Sequence, residues 1–511
     1  MDPIALSIFS SRIEAVCDEM GAVLRRTAFS PNIKDRLDFS CAVFDAEGEL
    51  CAQAAHIPVH LGSMAYAMHD IVARLEWESG DMVVVNDPYL GGTHLPDVTL
   101  IAPVFVQGRL MGFVANRAHH ADIGAATPGS MPISSTLEEE GMIIPPSHVR
   151  RGGELQSEVL ENIVRATGNP RDSHGDFSAQ ISANQSGVAR LEELIGEFGT
   201  EDYEQGLIAL NDYGERLARA SLGQIPDGHY TFEDVMDDDG QGHMDIPIRV
   251  CLEVKAGNIR VDFEGTAAQV GGNINCPLSV AAAGVLYVFR CLMPSQTPAC
   301  AGSFRPIRIH APEACLLNAR RPAAVAAGNV ETSTRVVDVV MGALAQAIPE
   351  RMPAASHGSM NNLAMGGDLS TGGWSYYETI GGGMGAGRYG GGLSAVQTHM
   401  TNTLNTPVES LEMHYPLQLR RYAIRRNSGG RGQRRGGDGI VREYDFLAET
   451  TVTLLTERRR HAPWGVAGGA AGQTGINRFN GREIPAKTSF KAGPGDRLSI
   501  ETPGGGGWGE P

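Results

Sequence analysis

The stretch 81–124, DMVVVNDPYLGGTHLPDVTLIAPVFVQGRLMGFVANRAHHADIG, constrains the chain more than any other. DMVVVND is an apolar, β-branched run with acids at both ends, the pattern of a short buried strand. Pro88-Tyr89-Leu90-Gly91-Gly92 then forces a turn. VTLIAPVFV predicts a second strand, Gln107-Gly108-Arg109 a hairpin-like turn, and RLMGFVANRAHH a third strand. His94 and Asp97 precede the second strand, and His119, His120 and Asp122 end the third. Two adjacent strands therefore deliver His94, Asp97 and His119 to one edge of a sheet. Two imidazoles and one carboxylate suit Zn, Mn or Fe(II), and three protein ligands leave a position open for water or substrate. The same pattern has a plainer reading, because His-x-x-Asp alone is a weak signal and loop histidines are more often turn or surface residues.

Around this stretch the periodicity is mixed. Ile4, Ile8, Ile13, Val16, Met20 and Leu24 recur at helical spacing, with Asp2 as a cap and Pro3 in the first turn, predicting a helix over 3–28. Residues 38–45 and 49–54 read as a strand pair turning at Ala46-Glu47-Gly48. His56 and His60 flank Pro58, and Gly62-Ser63-Met64 opens a helix to about Leu75. Thr127 to Pro132 is a loop able to cover the histidines, and Glu138-Glu139-Glu140 reads as a solvated face. Long amphipathic helical patterns occupy 154–166 and 178–221, with Asp176 as an N-cap. From Pro226 the pattern turns to period two, and Asp237-Asp238-Asp239-Gly240 reads as a solvated hairpin turn rather than a calcium loop. Apolar helices are predicted over 278–292 and 335–348.

The last third is punctuated by glycine. Gly385, Gly387 and Gly390 spell G-x-G-x-x-G, but the glycines run on into Gly391-Gly392 and no βαβ unit surrounds them, so a close-packed loop is expected and no nucleotide site. The arginines at 431, 434 and 435 suit an acidic substrate or partner subunit. The fold expected is α+β, with mixed, largely antiparallel sheets and packed helices in two to three domains. The composition breaks suggest 1–222, 223–348 and 349–511.

A net charge of -17, from 59 acids and 42 bases, argues against nucleic acid or an anionic membrane as the main partner. The eight cysteines include no Cys-x-x-Cys pair, and several sit in apolar runs. They read as buried reduced thiols in a cytoplasmic protein, consistent with the absence of any long apolar run.

Several segments, taken together and in order, resemble the hydantoinase B family. They are Asp38-Phe39-Ser40-Cys41-Ala42, Pro58-Val59-His60-Leu61-Gly62-Ser63-Met64, Asn86-Asp87-Pro88-Tyr89, Gly92-Thr93-His94-Leu95-Pro96-Asp97, Arg117-Ala118-His119-His120-Ala121-Asp122, Glu140-Gly141-Met142-Ile143-Ile144-Pro145-Pro146 and Ala323 to Thr332. That family includes the B subunits of ATP-dependent hydantoinases and N-methylhydantoinases, the matching half of 5-oxoprolinases, and the alpha subunits of acetone carboxylases. In the carboxylase branch two histidines and an aspartate hold Mn, a pattern that falls here on His94, Asp97 and His119. The resemblance implies a divalent metal (Mn, Zn or Fe) and a hydantoinase A-type ATPase partner, the pair forming a hetero-oligomer in which the partner uses the ATP. The small substrate implied is a cyclic amide. Asp122 or His120 would orient a ligand or accept a proton, and His60, Asp38 and Glu140 would border the substrate. Two other readings remain open at this stage, an alpha-type subunit of a ketone carboxylase and a non-catalytic scaffold. One departure from the family is Cys300-Ala301-Gly302, where relatives often carry Asn two residues before Gly.

Overall fold

In the computed structural model, which describes residues 1–54, 57–369 and 372–511, the first helix is Pro3–Thr27. The Asp2 carboxylate accepts hydrogen bonds from the amides of Ile4 and Ala5, each at 2.9 Å, and Pro3 occupies the first turn, where its missing N–H costs nothing. Phe9, Ile13, Val16, Cys17, Met20 and Leu24 form its buried stripe. This stripe packs on the helix Pro170–Phe198 and on a seven-stranded sheet.

That sheet comprises β1 (Phe39–Phe44), β2 (Leu50–Gln53), β3 (Met82–Val85), β4 (Asp97–Val106), β5 (Arg109–His119), β6 (Ser147–Arg151) and β7 (Glu154–Leu155). The strand order is β2-β1-β5-β4-β3-β6-β7, antiparallel throughout. β4 and β5 are central strands with helices against them, so DVTLIAPV is buried on both faces and reads as a continuous apolar run. Their register sets Asp97 opposite His119. The expected placement at a sheet edge is thereby corrected: the residues sit at the ends of two central strands, covered by other elements.

Three further sheets follow among the described residues. One contains Gly228–Asp238, Met244–Lys255, Asn258–Asp262 and Ile307–His310, the last two paired in parallel. Asn362–Leu369, Gly372–Glu378, Thr450–Leu455 and Lys487–Ala492 form the next. The fourth joins Leu417–Arg425, Gly439–Phe446, Arg497–Glu501, Ile476–Phe479 and Arg482–Glu483. The architecture is mixed α+β with mostly antiparallel sheets. The helices Leu278–Leu292 and Ser333–Ala347 lie on each other, and the second also covers the 228–255 hairpin.

Several local expectations change. The second helix spans Pro58–Val72, because Pro58 suits a first helical turn, so His60 lies on a helix rather than near a turn. It packs against Leu278–Leu292 so closely that a Cβ on Gly62 would lie 2.6 Å from Ala283 Cα. His56 is outside the described residues. The pattern at 178–221 divides into Pro170–Phe198 and Thr200–Leu222, broken at Gly199 with φ of 85°. Asp176 is inside the first of these, where its carboxylate accepts the amides of Phe29 (2.8 Å) and Ser30 (3.0 Å), and Asn169 is the N-cap instead. The 237–240 turn is not solvated, since Asp237 is buried and accepts the amides of Arg459, Arg460 and His461. The G-x-G-x-x-G glycines lead into no helix, and a Cβ at Gly385 would fall 1.8 Å from the Ala354 carbonyl. The cysteines form no disulfide, but Cys291 is exposed rather than buried. No helix among the described residues is long and apolar enough to cross a membrane.

Candidate metal centre

Asp97 begins β4, and His94 precedes it by one turn of a tight loop in which the Asp97 amide donates to the His94 carbonyl at 3.1 Å. His119 closes β5 directly opposite. The three residues are fully buried, and each offers a ligand atom within 4.8 Å of the others. The rings of His94 and His119 meet edge to face with centroids 5.0 Å apart.

Polar neighbours fix each member. Asp97 Oδ1 lies 3.2 Å from His60 Nε2, and Oδ2 lies 3.3 Å from His94 Nε2. Thr93 donates its hydroxyl to the same Oδ2, and the Asn329 amide approaches it at 3.3 Å. His119 Nδ1 is 3.0 Å from the His120 carbonyl, which holds the ring by its outer nitrogen and leaves Nε2, unpartnered, to the cluster. The Asn32 side-chain amide is 3.2 Å from the same Nδ1. Tyr377, from the third sheet, stacks on His119 with centroids 4.5 Å apart and planes 15° apart, closing the cluster from that side.

The electrostatics follow from burial and contact. Burial opposes ionisation of Asp97, but His60 and His94 outweigh it and hold the carboxyl well below its usual range. Burial works against a charged His94, and the adjacent Asp97 more than compensates, raising its pKa above the ordinary imidazole value. His119 has no comparable partner, and burial drives its pKa well down.

Four buried atoms have no hydrogen-bond partner among the described residues: His94 Nδ1 and Nε2, His119 Nε2 and Asp97 Oδ1. Buried polar atoms are normally paired, because desolvation without compensation is costly. Converging lone pairs from two neutral-capable imidazoles and one carboxylate fit a divalent transition metal, and their nitrogen and oxygen donors suit Mn, Zn or Fe.

The other predicted residues separate into near and remote groups. His60 reaches the cluster directly through Asp97, and Ser40 lies 3.4 Å from its Nδ1. Asp38 accepts the His119 amide on its backbone carbonyl at 3.0 Å, and its carboxylate is 3.9 Å from Arg36. Burial raises the Asp38 carboxyl pKa, partly opposed by Arg36 and His60. His120 turns its ring away, donating from Nε2 to Gln180 Oε1 (2.9 Å) and packing on Phe177, while its carbonyl contacts His119. Asp122 is committed to a loop, accepting from Gly124 (2.7 Å), Ser130 (3.1 Å) and the Gly168 amide. These contacts tie Asp122 to the 124–130 loop and to Gly168. Glu140 departs from its exposed neighbours Glu138 and Glu139: it is fully buried, and one oxygen accepts Ser134 and the amides of Val325 and Ala326 at 2.8–2.9 Å. Burial pushes its pKa up to about 7.

Sequence reasoning missed Asn329 and Tyr377. Asn329 sits in a π-helical turn, Gly328–Thr332, a widened geometry often found at functional sites. A Cβ on Gly328 would lie 1.9 Å from the Asn275 carbonyl, so glycine is what lets this turn approach the sheet. The family-like run Ala323 to Thr332 was the available signal for Asn329. Tyr377 had none beyond lying in a strand-like segment.

The family profile described as hydantoinase B/oxoprolinase matches residues 2–511. The chain belongs to this family. An uncharacterised protein of Methanocaldococcus jannaschii is 41% identical over 528 residues, covering 100% of this chain and 91% of that protein. 5-Oxoprolinase 1 of Arabidopsis thaliana is 39% identical, covering 99% of this chain but 42% of the plant protein, so the chain spans about two fifths of that relative. The crystal structure of the ATP-dependent caprolactamase from Pseudomonas jessenii superposes with a TM-score of 0.93 at 28% identity, covering 100% of this chain and 91% of that one. This hydantoinase B/oxoprolinase chain therefore shares both sequence and fold over its whole length with enzymes named for cyclic amides.

Proposed function

We propose that this chain is the ring-opening component of an ATP-dependent cyclic-amide hydrolase. The observation that carries the reading is the set of orphaned lone pairs on His94, Asp97 and His119, in a family whose members include a 5-oxoprolinase and a caprolactamase. An amide carbonyl is a poor electrophile, and the ATP dependence in the caprolactamase's name suggests activation by phosphoryl transfer to its oxygen. That step belongs to a hydantoinase A-type partner, for which the remaining length of the plant relative leaves room. In the net reaction one water opens the C–N bond, the ring nitrogen leaves as an amine, and a second water ends in inorganic phosphate.

His94, Asp97 and His119 would hold a divalent metal, which when bound supplies Lewis acidity and acidifies water near neutral pH. The chain's own residues set the stage for this. Thr93 and Asn329 fix one Asp97 oxygen, while His60 faces the other and is placed to take or return a proton there. The His120 carbonyl and the Asn32 side-chain amide hold the outer nitrogen of the His119 ring and so fix its orientation. Tyr377 and the buried walls exclude bulk water, which favours opening of the activated ring over wasteful hydrolysis.

The test is reconstitution with the partner ATPase on a panel of lactams and hydantoins. Ring-opened acid and ADP should form together, and His94→Ala should abolish ring opening. A bicarbonate-dependent carboxylated product would reassign the chain to the carboxylase branch, and ring opening by the partner alone would reduce it to a scaffold.

A further inference from the structure

The three candidate ligands come from β4, β5 and the loop between β3 and β4, yet the face of His119 is covered from a different sheet. Tyr377, in the strand Gly372–Glu378, stacks on that ring nearly parallel, and both side chains are buried. The contacts with the His120 carbonyl and the Asn32 amide hold the imidazole at its outer nitrogen. The tilt of the ring plane about that atom is set by what lies against the ring itself. There, Tyr377 covers the face and His94 meets the ring edge to face, so together they aim the unpartnered Nε2.

Tyr377 is in turn held at three points. The Asn362 side-chain amide donates to its hydroxyl at 2.7 Å. Arg36 donates from Nη1 to its carbonyl at 2.9 Å, and the guanidinium carbon lies over its ring, 4.9 Å from the centroid. Arg36 is fully buried, and its other terminal nitrogen donates to the Thr379 and Thr403 hydroxyls at 3.2 and 3.3 Å. The carboxylate paired with it, Asp38, is 3.9 Å away, so the guanidinium is committed chiefly to Tyr377 and the two threonines. A ligating side chain keeps its geometry only when its supports are themselves locked by packing and hydrogen bonds, and Tyr377 meets that condition.

We propose that Tyr377 is a positioning residue for His119, with Arg36 holding Tyr377 in that role. The sheet that contains 372–378 thereby sets the coordination geometry of ligands it does not supply. The proposal rests on the metal reading of the cluster.

The experiment is Co(II) binding to the full chain, freed of metal by chelator. It is read as affinity, by competition with a chromophoric chelator, and as the visible absorption of the bound ion, which reports ligand geometry. Tyr377→Leu should weaken binding about 10- to 100-fold, the range for losing the support of a ligating histidine, and should shift the absorption. Tyr377→Phe keeps the ring and loses only the hydroxyl, and should bind and absorb as wild type. Arg36→Lys keeps the charge but loses the planar fork. It should weaken binding when made alone and add nothing to Tyr377→Leu, because it acts through the ring. Core packing alone predicts lower stability in Tyr377→Leu with affinity and absorption per folded chain unchanged, and that result overturns the proposal while the metal reading stands. Equal effects of Arg36→Lys with and without Tyr377 overturn the part given to Arg36. A wild type that takes up no Co(II) removes the metal reading and the proposal with it. Should Tyr377→Leu fail to fold by circular dichroism, Arg36→Lys against wild type decides by the same two readouts.

Discussion

The histidine cluster and the ion network around Arg458 are both buried and polar, yet they are finished in different ways. In the network, Arg458 lies between Asp234 and Asp338, and Glu457 accepts from Arg335 at 3.1 Å and from Lys487 at 2.6 Å. Its charges find opposite charges within the chain and tie the 228–238 strand to the Ser333–Ala347 helix and the 457–459 segment. At the cluster, His94 Nδ1 and Nε2, His119 Nε2 and Asp97 Oδ1 converge without a hydrogen-bond partner among the described residues. A buried group whose partner lies within the chain serves stability, whereas a buried group without one marks where something from outside belongs.

The largest expected effect falls on the network. Arg458→Leu strands Asp234 and Asp338 as buried charges and should destabilise the fold by about 3–5 kcal/mol in urea unfolding, while leaving metal content per folded chain unchanged. A loss of metal as well would show that the two regions are coupled.

A second effect is confined to a pH window. Burial raises the Glu331 pKa from 4.5 to about 8 in the folded state, with the neighbouring Glu457 adding to it. The folded state therefore holds this proton more tightly than the unfolded chain. The resulting stability is fully present below about pH 4.5 and is lost as pH rises through about 8. Glu331→Gln should flatten that part of the stability profile, so the variant gains on wild type across the window. Parallel profiles would place Glu331 in a more solvated setting than its burial indicates.

The cluster should respond to ligand instead. Mn or Zn at 100 times its Kd should stabilise wild type by about 2.7 kcal/mol, and His119→Ala should abolish the shift. The smallest effect belongs to the residues that hold the ligands. Asn329→Ala and His60→Gln should each weaken metal binding about 10- to 100-fold, read by competition with a chromophoric chelator. Unchanged affinity in both would mean that Asp97 needs no support.

Much of the cluster could be read in advance because its parts are local. A hairpin from Asp97 to His119 has a register set by its turn, so two of the three residues face each other once the turn is placed. His94 follows by chain proximity. What the sequence could not show is what arrives from far away. Asn329 comes from 232 residues distant and Tyr377 from another sheet, and no local pattern encodes either contact. Glu140 was misread for a related reason, since a run of three glutamates looks solvated until the 325–326 amides fold over one of them. Strands and helices with clear periodicity, such as 278–292, appeared where expected, whereas boundaries set by a single Gly199 or Pro58 did not.

Elemental analysis of the purified chain, wild type beside His94→Ala and His119→Ala, tests the central claim most directly. The account predicts about one equivalent of Mn, Zn or Fe in wild type, lost in both variants while each stays folded. A wild type that holds no metal even after incubation with Mn or Zn, or variants that keep it, would contradict the claim and leave the cluster a structural feature of the sheet.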